Sequence, residues 1–316
     1  MLDPQIDQTG NIRHLITLDG LSAAHIVDLL DTAEALSVMA GRAVNKLPIL
    51  RGRTVVNLFF EPSTRTRTSF ELAATRLSAD VVNFDVSASS TKKGETLLDT
   101  LRTLEAMRCD LFVVRHTLNG TPEFLARNAA PGVVIVNGGD GNHAHPTQGL
   151  LDAFTIRRHK PDFSQLTVAI IGDILHSRVA RSDIHALRLL GTGEIRLAGP
   201  SALLPDDDAI LGCSIASSIY EAVTGADVII TLRLQKERMQ AALIESDADY
   251  AEAWGLNDAR LALAKPDAIV MHPGPINRGV EITDAVADGA QSVIFEQVSN
   301  GVAVRMAVMA RLLGAM

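Results

Sequence analysis

Short apolar runs and helical stripes alternate along the whole chain. LSAAHIVDLLDTAEALS (21–37) repeats its apolar residues at helical spacing. RTVVNLFF then gives a strand over 54–60, and SFELAATRL, with Phe70, Leu72, Ala73 and Leu77 for one face, gives a helix behind it. The same alternation predicts strands at 81–86, 111–115, 133–139, 166–173, 194–199, 227–232 and 268–273. Helical stretches separate them, including 96–107, 122–129 and one starting at HPTQ, and VRMAVMARLLGAM forms a last helix. The strands are apolar on both faces. That pattern predicts parallel sheets covered by helices, an α/β protein.

A second level of organisation follows from residues 157–165, RRHKPDFSQ, which are polar, contain a proline and precede a fresh set of strands. The expectation is two doubly wound parallel-sheet domains joined by bridging helices. The first comprises 1–146 plus 298–316, the second 147–297. Doubly wound sheets bind ligands beyond the carboxyl ends of their strands. In the first half those ends carry Ser63, Thr64, Arg65, Thr66, Arg115, His116, His145 and Gln148. In the second they carry Asp173, His176, Arg178, Arg233, Gln235 and the segment from His272 to Arg278. Both halves present cations and donors, so the active site is expected in an interdomain cleft that takes two anionic groups.

The densest cluster is PSTRTR, directly after a strand and at the start of a helix. Ser63 or Thr64 suits an N-cap. A cap needs one hydroxyl, whereas three stand within four residues here. Helix N-termini attract anions, and arginine matches phosphate with a planar fork. The cluster reads as an anion site rather than as a cap beside two solvated arginines. The loop SASSTKKGE (87–95) reads alone as solvated, and with its hydroxyls and cations as a phosphate clamp. HPGPINRGVEI sets two prolines around Gly274 and so fixes an exposed backbone whose carbonyls can face a ligand.

Composition narrows the classes. The chain has 316 residues, 47% of them apolar, and a formal net charge of −8. The size allows two ordinary domains, and the charge argues against nucleic acid as the main partner. Cys109 and Cys213 are its cysteines, which suits a reducing cytoplasm. No run of eighteen apolar residues suggests a membrane span. IIGDILHSRVARS has one glycine where a dinucleotide fingerprint needs three. GETLLDT lacks P-loop spacing, and His143, His145 and His176 do not make a metal pattern. No nucleophile elbow is present. No cofactor and no metal are expected.

PSTRTR, SSTKKGE, VVRH, HPTQ, RLQKER and HPGPINRGVEI, in this order, resemble the catalytic chains of the aspartate carbamoyltransferase family. The resemblance runs from about Thr54 to the C-terminal helix. PSTRTR and HPTQ are common to carbamoyltransferases generally, while RLQKER and the HPGP segment resemble the aspartate branch. The resemblance implies transfer of the carbamoyl group of carbamoyl phosphate to L-aspartate, in pyrimidine synthesis. It implies phosphate binding by Ser63, Thr64, Arg65 and Thr66, and carbonyl polarisation by Thr66, Arg115 and His145. Arg115 would also touch phosphate, and Gln148 would bind the carbamoyl amine.

Ser89 and Lys93 would reach a neighbouring subunit's site, making the working unit a homotrimer. Arg178 would take the aspartate α-carboxylate, and Arg233, Gln235 and Lys93 the β-carboxylate. The carbonyls of Pro273 and Gly274 would contact the substrate amines. Glu61 would pair with Arg178 and Arg238. Gly274 between the prolines resembles members that associate with a dihydroorotase or dihydroorotase-like chain. Val179 departs from the threonine of many relatives. An ornithine acceptor is the alternative, and it would need an anion where RLQKER supplies cations. A silent anion-binding subunit is less favoured, since Arg65, Thr66, Arg115 and His145 are all present.

Overall fold

A computed structural model describes residues 3–40, 46–85, 95–205, 212–235 and 246–316. The chain divides into two compact units. Unit 1 comprises Met1–Leu150 and Asn300–Met316, and unit 2 comprises Leu151–Ser299.

Unit 1 opens with α1 (Ala23–Ala40), β1 (Thr54–Phe59), α2 (Thr64–Arg76) and β2 (Asp80–Asp85). It continues with α3 (Leu97–Ala106), β3 (Leu111–His116), α4 (Thr121–Asn128) and β4 (Val134–Asp140). α5 (Pro146–His159) carries the chain from unit 1 into unit 2. The strands form a four-stranded sheet in the order β2-β1-β3-β4, with all pairs parallel. β4 is buried along its full length and β3 up to its last residue, as a sheet covered on both faces requires. Val56, Leu58, Phe112, Val114 and Ile135 share one core with Leu101 and Leu104 of α3 and Leu125 of α4. Thr96 caps α3: its hydroxyl accepts from Asp99 N at 3.2 Å, and the Asp99 carboxylate accepts from Thr96 N at 3.2 Å.

Unit 2 contains β5 (Thr167–Ile171), α6 (Arg178–Leu189), β6 (Glu194–Ala198), β7 (Ser214–Ile215), α7 (Ile219–Val223) and β8 (Val228–Thr231). α8 (Asp247–Trp254), α9 (Asp258–Leu261), β9 (Ile269–Met271) and α10 (Asp284–Ala287) follow, and α11 (Ile294–Leu312) returns the chain to unit 1. Its parallel five-stranded sheet has the order β7-β6-β5-β8-β9. Successive residues of β5 serve opposite faces. Val168 and Ile170 pack with Leu187, Leu197 and Ile230, whereas Ala169 and Ile171 pack with Ile219, Ala222 and Ile229.

The two doubly wound parallel sheets match the fold class expected from sequence. The terminal helix is longer than the sequence pattern suggests, since it begins at Ile294. β7 has no counterpart in the apolar pattern. It is a two-residue, exposed edge strand, short enough to leave no hydrophobic run.

Candidate functional site

Each sheet order locates a binding point. In unit 1 the chain goes from β1 outward to β2, then crosses back to β3 on the other side of β1. The strand order therefore reverses between β1 and β3. In unit 2 it reverses between β5 and β8. Ligands of open α/β sheets bind beyond the strand ends at such a reversal. The residues following β1 are Glu61, Ser63, Thr64, Arg65 and Thr66, and β3 ends on Arg115 and His116. The residues following β5 are Asp173 and Arg178, and those following β8 are Arg233 and Gln235. Of the sequence-predicted residues, Ser63 to Thr66 and Arg115 stand at the first reversal and Arg178, Arg233 and Gln235 at the second, whereas His145 and Gln148 follow β4 and Pro273 and Gly274 follow β9.

At the first reversal, Ser63 is the N-cap residue of α2, in an extended conformation. Its side chain makes no capping bond, and no acidic residue stands in the first turn. The hydroxyl is thus not used on its own helix, unlike that of an ordinary cap, and the positive end of the helix dipole meets no carboxylate of α2. Thr64 and Arg65 are exposed, while Thr66 is buried.

Arg115 is buried and held from two sides. Its Nη1 donates to the carbonyl of Gly138 at 3.0 Å, and Nη2 donates to Glu61 Oε1 at 2.5 Å. Gly138 fits against Val113, where a Cβ would come within 3.1 Å of Cγ1. Glu61 pairs with Arg115. Arg238 of the expected grouping lies outside the described residues. The adjacent His116 serves structure: its Nδ1 accepts from Leu118 N at 2.9 Å, its ring lies 5.1 Å from that of Phe60, and burial lowers its pKa.

His145 is positioned by a residue that sequence reasoning passed over. Asp140, at the end of β4, is fully buried. Its carboxylate accepts from Asn137 Nδ2 at 2.7 Å, Gly120 N at 2.8 Å, His143 Nδ1 at 3.0 Å and Ala144 N at 3.2 Å. Burial alone would raise its pKa. The bonds from His143, Asn137 and the Gly120 amide outweigh burial and hold it below the usual carboxylate value. This knot fixes the turn leading to His145, which is itself buried. The His145 carbonyl accepts from Gln148 N at 2.8 Å, with Pro146 at the first position of α5.

At the second reversal, Asp173 is buried and bonds Nδ1 of His176 at 2.9 Å. Ser177 caps α6 by accepting from Ala180 N at 3.1 Å, and Arg178, buried, is its first residue. Arg233 and Gln235 are half-buried. Glu281, the acidic residue of HPGPINRGVEI, links this strand end to the HPGP segment. Its Oε1 accepts from Leu234 N at 3.0 Å and Asn277 Nδ2 at 2.6 Å, and its Oε2 from Asn277 N at 2.8 Å. Burial nonetheless raises its pKa. The only hint in the sequence is a lone carboxylate within a Pro/Gly-rich stretch.

Gly274 has φ +64° and precedes a cis peptide bond to Pro275, and Gly274 N donates to Nδ1 of His272 at 2.8 Å. Pro273 and Gly274 are half-buried. Ser89 and Lys93 lie outside the described residues. Among the described residues no group of three or more His, Cys, Asp or Glu is arranged to hold a metal. Nor is any helix among them long and apolar enough to cross a membrane.

Comparison with known proteins matches this arrangement. Residues 13–158 match the carbamoyl-phosphate-binding domain of aspartate/ornithine carbamoyltransferases, and residues 164–312 match their Asp/Orn-binding domain. The Trypanosoma cruzi aspartate transcarbamoylase, solved with N-(phosphonacetyl)-L-aspartic acid, is 35% identical over 99% of both chains, with a TM-score of 0.85. The same enzyme solved with carbamoyl phosphate and aspartate is 34% identical over 95% of this chain and 96% of that one, with a TM-score of 0.84. Ornithine carbamoyltransferase from Pyrococcus furiosus is 30% identical over 96% of this chain and 98% of that one, with a TM-score of 0.87. Backbone likeness alone therefore does not separate the two acceptors, while identity leans towards the aspartate enzymes. With both domain models matched in order along nearly its full length, the chain belongs to the aspartate/ornithine carbamoyltransferase family.

Proposed function

We propose that this chain transfers the carbamoyl group of carbamoyl phosphate to the amine of L-aspartate, giving N-carbamoyl-L-aspartate and phosphate, a step of de novo pyrimidine synthesis. The observation that carries the acceptor assignment is the polarity of the second reversal. Arg178 and Arg233 stand there, suited to two carboxylates. Of the nearby acids, Glu281 is engaged by Leu234 and Asn277, and Asp173 bonds His176 through Oδ1, while its Oδ2 meets no donor among the described residues. An ornithine side chain would bring an ammonium and need an anion.

At the first reversal, Ser63, Thr64, Arg65 and Thr66 hold the phosphate at the N-terminus of α2. Thr66, Arg115 and His145 donate to the carbamoyl oxygen, and Gln148 binds the carbamoyl amine. Attack by the neutral aspartate amine on the carbamoyl carbon puts negative charge on that oxygen. Donors already in place stabilise it, and losing one typically costs about a hundredfold to a thousandfold in rate. The C–O bond to phosphate then breaks, and the departing phosphate takes the proton from the amine. No covalent enzyme intermediate is required, because juxtaposing the two substrates supplies much of the acceleration. The carbonyls of Pro273 and Gly274 receive the substrate amines, and Arg233 and Gln235 the β-carboxylate.

By the same resemblance, Ser89 and Lys93 complete a neighbouring site in a cytoplasmic homotrimer, which joins a dihydroorotase-like chain. The test offers L-aspartate and L-ornithine in parallel to the purified chain with carbamoyl phosphate. Product from aspartate alone is expected. Product from ornithine alone would overturn the acceptor assignment. Product from neither, even with the dihydroorotase-like partner added, would overturn the enzymatic reading.

A further inference from the structure

Two carboxyls of unit 2 play no part in the chemistry above, and both are buried. Asp152 of α5 and Asp183 of α6 are each 1% exposed. They lie within hydrogen-bonding reach of each other. Neither oxygen of Asp183 meets an N–H or O–H among the described residues. Two ionised carboxylates are acceptors only and cannot bond to each other. Without water, two like charges at such a distance do not both persist, and the pair keeps a proton. Burial, and then the charge of Asp152, push the Asp183 carboxyl well above the usual carboxylate value.

Asp152 also faces away from that pair. Its Oδ1 accepts from Gln297 Nε2 of α11 at 2.7 Å. The other end of the Gln297 amide, Oε1, accepts from the backbone N of His272 at 2.9 Å. Gln297 and His272 are each 2% exposed. His272 Nδ1 in turn accepts from Gly274 N. A continuous chain of bonds runs from α6 through α5 and α11 to the segment that follows β9.

We propose that Asp183 and Asp152 share one proton and, through Gln297, form a buried relay that positions the Pro273 and Gly274 carbonyls. Gln297 is the positioning residue. Its amide donates at one end and accepts at the other, so the carboxyl it donates to fixes which way it points. An amide in the opposite orientation would face the His272 N–H with its own N–H groups. The shared proton leaves Asp152 Oδ1 as an acceptor for Gln297 while removing one charge from the interior. The role given to Pro273 and Gly274 rests on the function proposed above.

Two variants test it. Gln297→Met keeps the volume and removes both bonds. It is expected to lower kcat about tenfold or more while the KM for carbamoyl phosphate stays within about threefold, since small misplacements near the reacting atoms cost rate before binding. Wild-type kcat in a folded Gln297→Met protein would overturn the relay. Asp183→Asn replaces the shared proton with a permanent N–H donor. Its kinetics are expected to match wild type, and its Tm at pH 8 to equal or exceed wild type. A clear fall in that Tm would overturn the shared proton, whether or not Gln297→Met folds. The thermal comparison needs no turnover, so it distinguishes failure of the relay from failure of the proposed activity.

Discussion

Arg115 Nη2 donates to Glu61 Oε1 at 2.5 Å, so the guanidinium at the end of β3 is held by the residue that follows β1. The Gly138 carbonyl is its second anchor. Two fixed partners give the guanidinium plane of this buried arginine a defined orientation. Glu61→Gln keeps an acceptor but loses the charge-assisted bond. It is expected to lower kcat about tenfold while the KM for carbamoyl phosphate changes less than about threefold. Arg115→Ala is expected to reduce kcat by at least about a hundredfold, as loss of a donor to the developing oxyanion does. Steady-state kinetics of the two variants against wild type check both. Equal losses in kcat and binding for Glu61→Gln would mean that Glu61 acts on substrate affinity rather than on the aim of Arg115.

Asp140 makes a pH-dependent contribution whose sign follows from its lowered pKa. In the folded chain the carboxylate gathers four donors and holds its proton less readily than in the unfolded chain. Stability from this knot is therefore present above the unfolded value of about 3.9 and is lost as pH falls through the folded value. Asp140→Asn is expected to be less stable than wild type at pH 7 by about 1–3 kcal/mol, the range for leaving buried donors without a charged acceptor. The gap should narrow as pH falls below about 4, where the unfolded chain takes up the proton first, and close once the folded carboxylate is protonated as well. Thermal unfolding of both proteins from pH 3 to 7 measures it. A gap that stays constant with pH would show that the aspartate charge is not what stabilises the turn before His145.

Much of this architecture could be read from the chain because parallel strands buried on both faces leave unbroken apolar runs, as in LFVV and VAII. The residues at strand ends were equally legible: Ser63, Arg115, His145 and Arg178 are polar groups where an apolar run stops. Residues that hold others in place were harder to see. Asp140, Glu281 and Asp152 act through bonds to backbone N–H groups or to distant side chains. Their partners are separated from them by up to 145 residues, as Gln297 is from Asp152. Such pairs have no local spacing. β7 escaped for another reason, because its two exposed residues carry no alternation. Ser63 shows the reverse case. A hydroxyl before a helix reads as a cap, and only the geometry shows that it makes no capping bond.

Glu281 tests whether the two acceptor-side segments work as one unit. Its carboxylate is the shared acceptor of Leu234 N, beside Arg233, and of Asn277, three residues beyond Gly274. Glu281→Ala removes all three bonds and lets the two segments move independently. The KM for aspartate is expected to rise about tenfold or more, while that for carbamoyl phosphate, whose proposed site lies on unit 1, changes less than about threefold. Arg233→Ala should give the same split in direction. If Glu281→Ala raised both constants equally, its role would be general stability rather than support of Arg233.

Mixing experiments address the sharing of sites between subunits. Arg65→Ala removes the proposed phosphate fork at the N-terminus of α2 and is expected to abolish turnover. Lys93→Ala removes a cation that the family resemblance assigns to the neighbouring subunit's site. In the proposed homotrimer neither variant alone has an intact site, because three copies of one kind lack the same group three times over. When the two are dissociated, mixed and reassociated, some interfaces join a chain with Arg65 to a neighbour with Lys93. Those interfaces contain one complete set of groups. Activity is therefore expected to recover to a fraction of wild type on mixing, with a KM for aspartate close to wild type because the restored sites are complete. Mixing without reassociation should recover nothing. Absence of recovery after verified exchange of subunits would place Lys93 in the same chain's site or outside any site.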